Sequence, residues 1–191
     1  MGAVSVVVLV LVTASVSAKG RGAGGMSGKA VPTDGEPGSV HRWFAVELNN
    51  ATWDLIDGGL SERSAASERE RALYGAYAST YHWLQVGNVA NHGRGEHLIG
   101  TVACVIGQLE AAGEHAARCA ELVAGQPDAF ADWDLAFLAE LRARIAARAG
   151  ADDAAQLRVA AERAAAEVAD AADRRICVER LAAEPWGVVG E

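Results

Sequence analysis

Residues 98–123 read LIGTVACVIGQLEAAGEHAARCAELV, and their apolar side chains recur at intervals of three and four. Leu98, Val102 and Ile106 fall on one stripe of a helix, which Gly107 ends. A second helical stripe follows, made of Leu109, Ala112, Ala116, Cys119 and Val123. One glycine between two such stripes predicts two antiparallel helices packed as a hairpin.

The same spacing extends outward from this hairpin over residues 39–184. No segment of that sequence alternates with the period of two that a β-strand requires. The pattern is interrupted at Gly58, Gly87, Gly107, Pro127 and Gly150. We therefore predict one all-α domain of about six to seven helices, arranged as antiparallel helical hairpins.

The two ends of the chain differ from this domain. Residues 1–38 combine an apolar leader with a linker rich in Gly and Pro, and residues 185–191 form a predicted tail. The leader has a signal-peptide-like apolar core that ends at Ala18, but no basic residue precedes it. Export after cleavage at Ala18 and a cytoplasmic protein that starts at Met26 both stay open, with the second favoured. The apolar run is too short to predict a stable membrane span.

The charge of the chain restricts its partners. The 191 residues carry 17 basic and 25 acidic side chains, a net charge of −8. Residues 1–30 contain three of the basic side chains and no acid, so the predicted domain is more acidic than the average. Proteins that bind nucleic acid normally present a basic face to the phosphates. We therefore expect no nucleic acid among the partners.

Small residues recur at fixed places in two of the predicted hairpins. They are Gly100, Gly107, Ala112 and Cys119 in one hairpin, with Gly150 and Ala155 in the next. This spacing resembles the helical hairpins of tetratricopeptide repeat proteins over about residues 94–172. The resemblance implies a single right-handed array whose concave groove binds a peptide or protein partner.

The resemblance also implies which side chains line the groove. They are Arg94, His97, Thr101, Arg144 and Arg148. The three arginines would form a cationic strip that can bind a carboxylate or a phosphate. A second interpretation is that Arg144 and Arg148 form a solvated row with Glu140, held by pairs four residues apart.

One group of side chains suggests an alternative function. His82, His92 and Glu96 converge if the second and third predicted helices pack antiparallel about a turn near residue 87. Two imidazoles and a carboxylate can hold Fe(II), Mn(II) or Zn(II), so the alternative is a small metal-dependent enzyme. The chain has no HExxH motif, and a polar contact that pins the hairpin is a further interpretation. A binding module would need no cofactor.

We expect most aromatic side chains to be core. Tyr74, Tyr77 and Tyr81 share one face of the predicted second helix, and this face should be buried. The cysteines have no metal-ligand spacing and are expected to be small buried side chains. A third interpretation of the function is a subunit whose exposed face is an interface in a homo-oligomer.

Overall fold

The computed structural model describes residues 30–32, 36–183 and 186. Within those residues it contains seven α-helices and no strand, which confirms the predicted all-α fold. The helices are α1 (Pro37–Asp57), α2 (Ala66–Val86), α3 (Val89–Val105), α4 (Leu109–Gly125), α5 (Asp132–Ala149), α6 (Ala154–Glu167) and α7 (Ala171–Ala182). The predicted leader, the start at Met26 and the cleavage at Ala18 lie outside the described residues.

Consecutive helices pack as three hairpins, which are α1 with α2, α3 with α4, and α5 with α6. The second helix of each hairpin also contacts the helix that follows it, so α2 contacts α3, α4 contacts α5, and α6 contacts α7. The odd-numbered helices contact one another in succession from α1 to α7. We call the surface that they form the odd-helix face. In the described ranges, no helix has both the length and the hydrophobicity that a membrane span requires.

Two of the predicted helix ends depend on glycine. Gly107 follows α3 with a φ of 84°, and Gly150 follows α5 with a φ of 66°. Both values lie in the left-handed region, where a side chain is strained. The sequence therefore placed these two turns correctly.

The core consists of three apolar clusters, one of which packs α3, α4 and α5 around Leu141. The other two lie at opposite ends of the array. The first packs α1, α2 and α3 around Leu98, Ile99 and Val102, each at most 2% exposed. The second packs α5, α6 and α7 through alanine side chains together with Val168 and Trp186. Trp186 therefore belongs to the packed structure although it lies beyond the end of α7.

The outer side of α2 shows that one sequence prediction was wrong. Tyr74, Tyr77 and Tyr81 are 66%, 44% and 59% exposed, and we call the surface they form the tyrosine face. The side chains that α2 buries are small, namely Ala72, Ala76, Ser79 and Thr80. The tyrosines are therefore not core residues.

Close helix packing explains this outcome. A Cβ atom added at Gly75 would lie 2.8 Å from Oγ1 of Thr52 on α1. One added at Gly95 of α3 would lie 2.6 Å from Oγ1 of Thr80 on α2. Because α2 approaches both neighbours so closely, tyrosine rings do not fit between the helices and the opposite side of α2 carries them.

Candidate functional site

Arg94 of α3 is the first residue of the predicted groove, and it forms an ion pair with α5. Its Nε and Nη2 atoms donate to the two carboxylate oxygens of Asp134 at 2.8 and 2.9 Å. The guanidinium also lies 4.5 Å from the centre of the Trp133 ring. The two-pronged contact links the start of α3 to the start of α5.

The two predicted arginines of α5 are buried and paired. Arg144 donates to the carboxylate of Glu140 one turn away, and both side chains are buried. Arg148 donates to Glu62, which lies in the loop between α1 and α2. The pair of Arg144 with Glu140 matches one sequence interpretation, but it lies inside the protein rather than on a solvated row.

Thr101 is also buried and has a local role. Its hydroxyl donates to the main-chain carbonyl of His97 at 2.9 Å, within the same helix. The hydroxyl group of Thr101 therefore satisfies its donor inside α3.

A group of side chains from all four odd-numbered helices surrounds His97. We call it the odd-face cluster, and its members are Trp53, His97, Glu140, Arg144 and Arg180. The Trp53 ring of α1 stacks on His97 with 6.2 Å between the ring centres. The guanidinium of Arg180 lies 4.9 Å from the centre of the same tryptophan ring. The Nε atom of Arg180 is 3.6 Å from Oε1 of Glu140.

The odd-face cluster contains two arginines, one histidine and one carboxylate. Burial is the main cause that lowers the pKa of His97, with Glu140 opposing this shift and Arg180 adding to it. His97 is therefore neutral near pH 7. The guanidinium groups of Arg144 and Arg180 then share the single carboxylate of Glu140. Asp57 also interacts electrostatically with Arg180, and Asp134 with His97, so carboxylates outside the cluster contribute negative charge to its surroundings.

Three polar atoms of the cluster are buried without a hydrogen-bond partner among the described residues. They are Nε2 of His97, Oε2 of Glu140 and Nε of Arg180. A buried polar atom without a partner costs about 1–3 kcal/mol, so folded proteins rarely contain several in one place. Each of these atoms is a position where a further hydrogen-bonding group would be stabilised.

The end of α7 and Trp186 pack against Arg144. The Nη2 atom of Arg144 donates to the main-chain carbonyls of Arg180 and Ala183 at 2.7 and 2.9 Å. The guanidiniums of Arg144 and Arg158 lie over the indole of Trp186, 4.4 and 4.3 Å from its ring centre. Arg144 therefore connects the odd-face cluster to the C-terminal part of the chain.

The sequence does not single out Trp53, Arg180 or Trp186 for this site. Each comes from a different part of the chain than the hairpins on which the groove prediction rests. Their proximity depends on how α1 and α7 pack beside α3 and α5, and periodicity within one helix carries no information on that packing.

The predicted His82, His92 and Glu96 do not form one group. His92 Nε2 and His115 Nδ1 lie 3.1 and 2.7 Å from the two carboxylate oxygens of Glu96. His115 Nε2 in turn lies 2.9 Å from the hydroxyl of Tyr77. The structure thus gives Glu96 a second histidine that the sequence prediction missed, one from α4.

His82 takes part in a different contact. Its Nδ1 atom lies 2.8 Å from Nδ1 of His41, and its ring stacks on Phe44 of α1. Burial and the neighbouring His41 lower the pKa of His82. Across the ranges that the structure describes, no set of three or more His, Cys, Asp or Glu side chains is placed to hold a metal ion.

The three cysteines are buried. Burial raises the pKa of Cys104 and Cys177 to about 11, and that of Cys119 to about 12. The thiols are therefore protonated near neutral pH, whereas nucleophilic chemistry and metal ligation need the thiolate. All three are free, in agreement with the expectation that they are small buried side chains.

Comparison with known proteins gives no relative. No protein-family model, curated protein or solved structure matches this chain. The odd-face cluster and its surroundings are therefore the basis for any functional proposal.

Proposed function

We propose that this protein is a binding module of helical hairpins, whose odd-helix face is a groove for a peptide or a protein partner. The succession of α1, α3, α5 and α7 along one face supports this proposal, because the first helices of tetratricopeptide-like hairpins line such a groove. The partner-binding residues proposed from the sequence lie on α3 and α5 of this face.

The observation that carries the proposal is the set of three unpartnered polar atoms in the odd-face cluster. A peptide main chain offers both N–H donors and carbonyl acceptors. These atoms are buried in the chain alone, so a partner reaches them only by displacing the side chains that cover them; an N–H group can then donate to Oε2 of Glu140, and a carbonyl or carboxylate can accept from Nε of Arg180. The guanidinium groups of Arg144 and Arg180 favour acceptor groups, above all a carboxylate.

Selection from a random dodecapeptide library displayed on phage tests the proposal with the full-length chain. Enriched peptides are then synthesised, and their affinities are measured by isothermal titration calorimetry. We expect Arg180→Gln to weaken binding at least tenfold, because it removes the charge and Nε donor of the cluster.

Arg175→Gln is the matched control for this variant. Arg175 lies on the same helix, its side chain is 73% exposed, and it pairs with Glu179 at 3.7 Å. Binding to the control should equal binding to the wild-type chain. The proposal is overturned if no peptide is enriched, or if Arg180→Gln and Arg175→Gln bind the selected peptides equally well.

A further inference from the structure

We propose that His41 of α1 and His82 of α2 form an acid-sensitive contact, which separates the start of α1 from the end of α2 when both imidazoles carry a second proton. We call these two side chains the histidine pair. The inference goes beyond groove binding and does not depend on it, because neither side chain belongs to the odd-face cluster.

The bond within the histidine pair requires one unprotonated nitrogen. The two Nδ1 atoms lie 2.8 Å apart, which is a hydrogen-bond distance. An imidazole nitrogen that carries a proton is a donor and cannot accept, so one of the two Nδ1 atoms must be unprotonated. The pair therefore forms with two neutral rings, or with one neutral ring and one cation, but not with two cations.

No carboxylate holds the rings of the histidine pair together. Among the residues that the structure describes, the histidines that lie within ion-pair distance of an acidic side chain are His92 and His115. The ring of His82 instead contacts Phe44 of α1 and Tyr81 of α2. Two cations in the pair would therefore face each other without a counter-charge.

The charge on His41 also acts on the protonation of His82. Burial and the neighbouring His41 both lower the pKa of His82 from 6.5, and His41 is the charged group that acts on this ring. Below pH 6.5 the separated helices therefore bind the proton more readily than the paired ones, and falling pH favours separation.

His92 and His115 show the opposite response to acid. They lie 3.1 and 2.7 Å from the two carboxylate oxygens of Glu96, across α3 and α4. A proton on either ring adds an attraction to this carboxylate. Acid therefore strengthens the contact between α3 and α4, whereas it breaks the one between α1 and α2.

The packing between α1 and α2 limits the separation to one end of the hairpin. The hydroxyl of Ser79 donates to the main-chain carbonyl of Ala45 at 2.7 Å in a buried bond. Farther along, a Cβ atom added at Gly75 would lie 2.8 Å from Oγ1 of Thr52. Neither contact involves an ionisable group, so acid leaves both in place. The histidine pair lies on the other side of the Ser79 bond, towards the start of α1.

Separation at this end uncovers an aromatic surface. Phe44 stacks on His82 with 5.1 Å between the ring centres, and it meets the ring of Trp43 edge-on at 4.8 Å. Phe44 and Trp43 are both half-buried while the pair is formed. Loss of His82 from the stack exposes one face of the Phe44 ring, so acid increases the apolar surface at this end of the hairpin.

Hydrogen exchange of the full-length chain tests the inference. It would be followed by mass spectrometry at pH values on both sides of the ordinary histidine pKa of 6.5, after correction for the intrinsic pH dependence of exchange. We expect residues 38–45 and 80–86 to open at least tenfold more often on the acid side. Residues 46–56, which lie beyond the Ser79 bond, should change less than twofold.

His82→Phe is the matched variant, because it keeps an aromatic ring on Phe44 and removes both the bond and the titrating group. Opening of the same end should then change less than twofold with pH. The control His92→Gln should keep the tenfold acid response. The inference is wrong if the wild-type chain shows no extra opening at this end on the acid side, if His82→Phe keeps that response, or if His92→Gln loses it.

Nitrogen NMR of the wild-type chain adds a test that needs no variant. In protein labelled with nitrogen-15 at histidine, the chemical shifts distinguish a proton on Nδ1 from a proton on Nε2. On the alkaline side, one ring of the histidine pair should carry its proton on Nδ1 and the other on Nε2. Two rings protonated only at Nε2 would have no donor for the bond and would overturn the inference, whereas the groove proposal would be unaffected.

Discussion

On the odd-helix face Glu140 and Arg144 are buried, whereas on the tyrosine face Tyr74 and Tyr81 are exposed. This is the reverse of what side-chain polarity alone predicts. The difference follows from how far apart the helices are. Around α2 the helices meet through glycine and threonine and leave no room for rings. Between α3, α5 and α7, long arginine, glutamate and tryptophan side chains fill the space. At these two places close helix packing overrides side-chain polarity, although most of the core is apolar.

Removing the single carboxylate of the odd-face cluster should cause the largest loss of stability. Glu140→Gln keeps the side-chain shape but leaves Arg144 and Arg180 without their shared counter-charge. We expect the free energy of unfolding to fall by about 3–5 kcal/mol, as for other broken buried ion pairs. Urea denaturation followed by circular dichroism measures this change.

Glu162→Gln is the control for that comparison, because Glu162 pairs with Arg158 but is 53% exposed. An exposed pair contributes about 0–1 kcal/mol, so the control should be close to the wild type. Equal losses in the two variants would mean that burial of the odd-face cluster is unimportant for stability.

A smaller loss of stability is expected from a substitution at the contact between α2 and α3. Gly95→Ala places a Cβ atom 2.6 Å from Thr80 Oγ1, so the two helices must shift apart. Overpacking of this kind costs about 1–3 kcal/mol, and the gain in helix propensity of about 1 kcal/mol offsets part of it. Thermal unfolding should show a net loss, which Thr80→Ala in the same chain partly restores.

Gly113→Ala on α4 is the matched control for this contact. A Cβ atom at Gly113 meets nothing within 4 Å, so only the gain in helix propensity remains. The control should raise the free energy of unfolding by up to about 1 kcal/mol. A stabilising Gly95→Ala variant would show that α2 and α3 are not closely packed.

The pH dependence of stability should report the burial of His97. Its pKa is lowered from 6.5 in the folded chain, mainly by burial. Below pH 6.5 the unfolded chain therefore binds a proton that the folded chain does not, and stability falls as the pH falls. One proton gives a slope of at most about 1.4 kcal/mol per pH unit. Asp134, Glu140 and Arg180 are the charged groups that act on this histidine.

We would measure urea midpoints of the wild-type chain and of His97→Asn at a series of pH values on both sides of the ordinary histidine pKa of 6.5. The variant should show a shallower loss of stability on the acid side, because it has lost the buried titrating group. Parallel curves would contradict a buried neutral imidazole at this position.

The smallest effect is expected on the tyrosine face. Tyr74→Ala removes a ring that is 66% exposed, and such surface substitutions change the free energy of unfolding by about 0.5 kcal/mol or less. Chemical denaturation at two protein concentrations checks this. If the loss of stability in Tyr74→Ala grows with protein concentration, the tyrosine face is covered by a second copy of the chain. This outcome would support the homo-oligomer alternative.

The sequence predicts the helices of this protein well because each helix is a local structure. The three- and four-residue spacing around Leu98 and the glycines at positions 107 and 150 act within one turn or one hairpin. The structure confirms the all-α fold and these two turns. The right-handed sense of the array and the partner-binding role of Arg94 and Arg144 stay predictions.

The sequence predicts the candidate site less well because the site depends on contacts between distant helices. Periodicity shows that Tyr77 and Tyr81 share a face, but it does not show that Gly95 brings α3 close to the opposite face. It shows that His92 and Glu96 are neighbours, but His115 joins them only once α3 and α4 have packed. Arg180 likewise reaches Trp53 across the whole odd-helix face.

The three buried thiols allow the opening of individual helices to be timed. Cys104, Cys119 and Cys177 lie on α3, α4 and α7, and each has a raised pKa. Alkylating reagents react with exposed thiolate, so each cysteine reacts only during the moments when its own helix separates from the core. Mass spectrometry of the labelled peptides would therefore rank these three helices by how often they open, without any mutation.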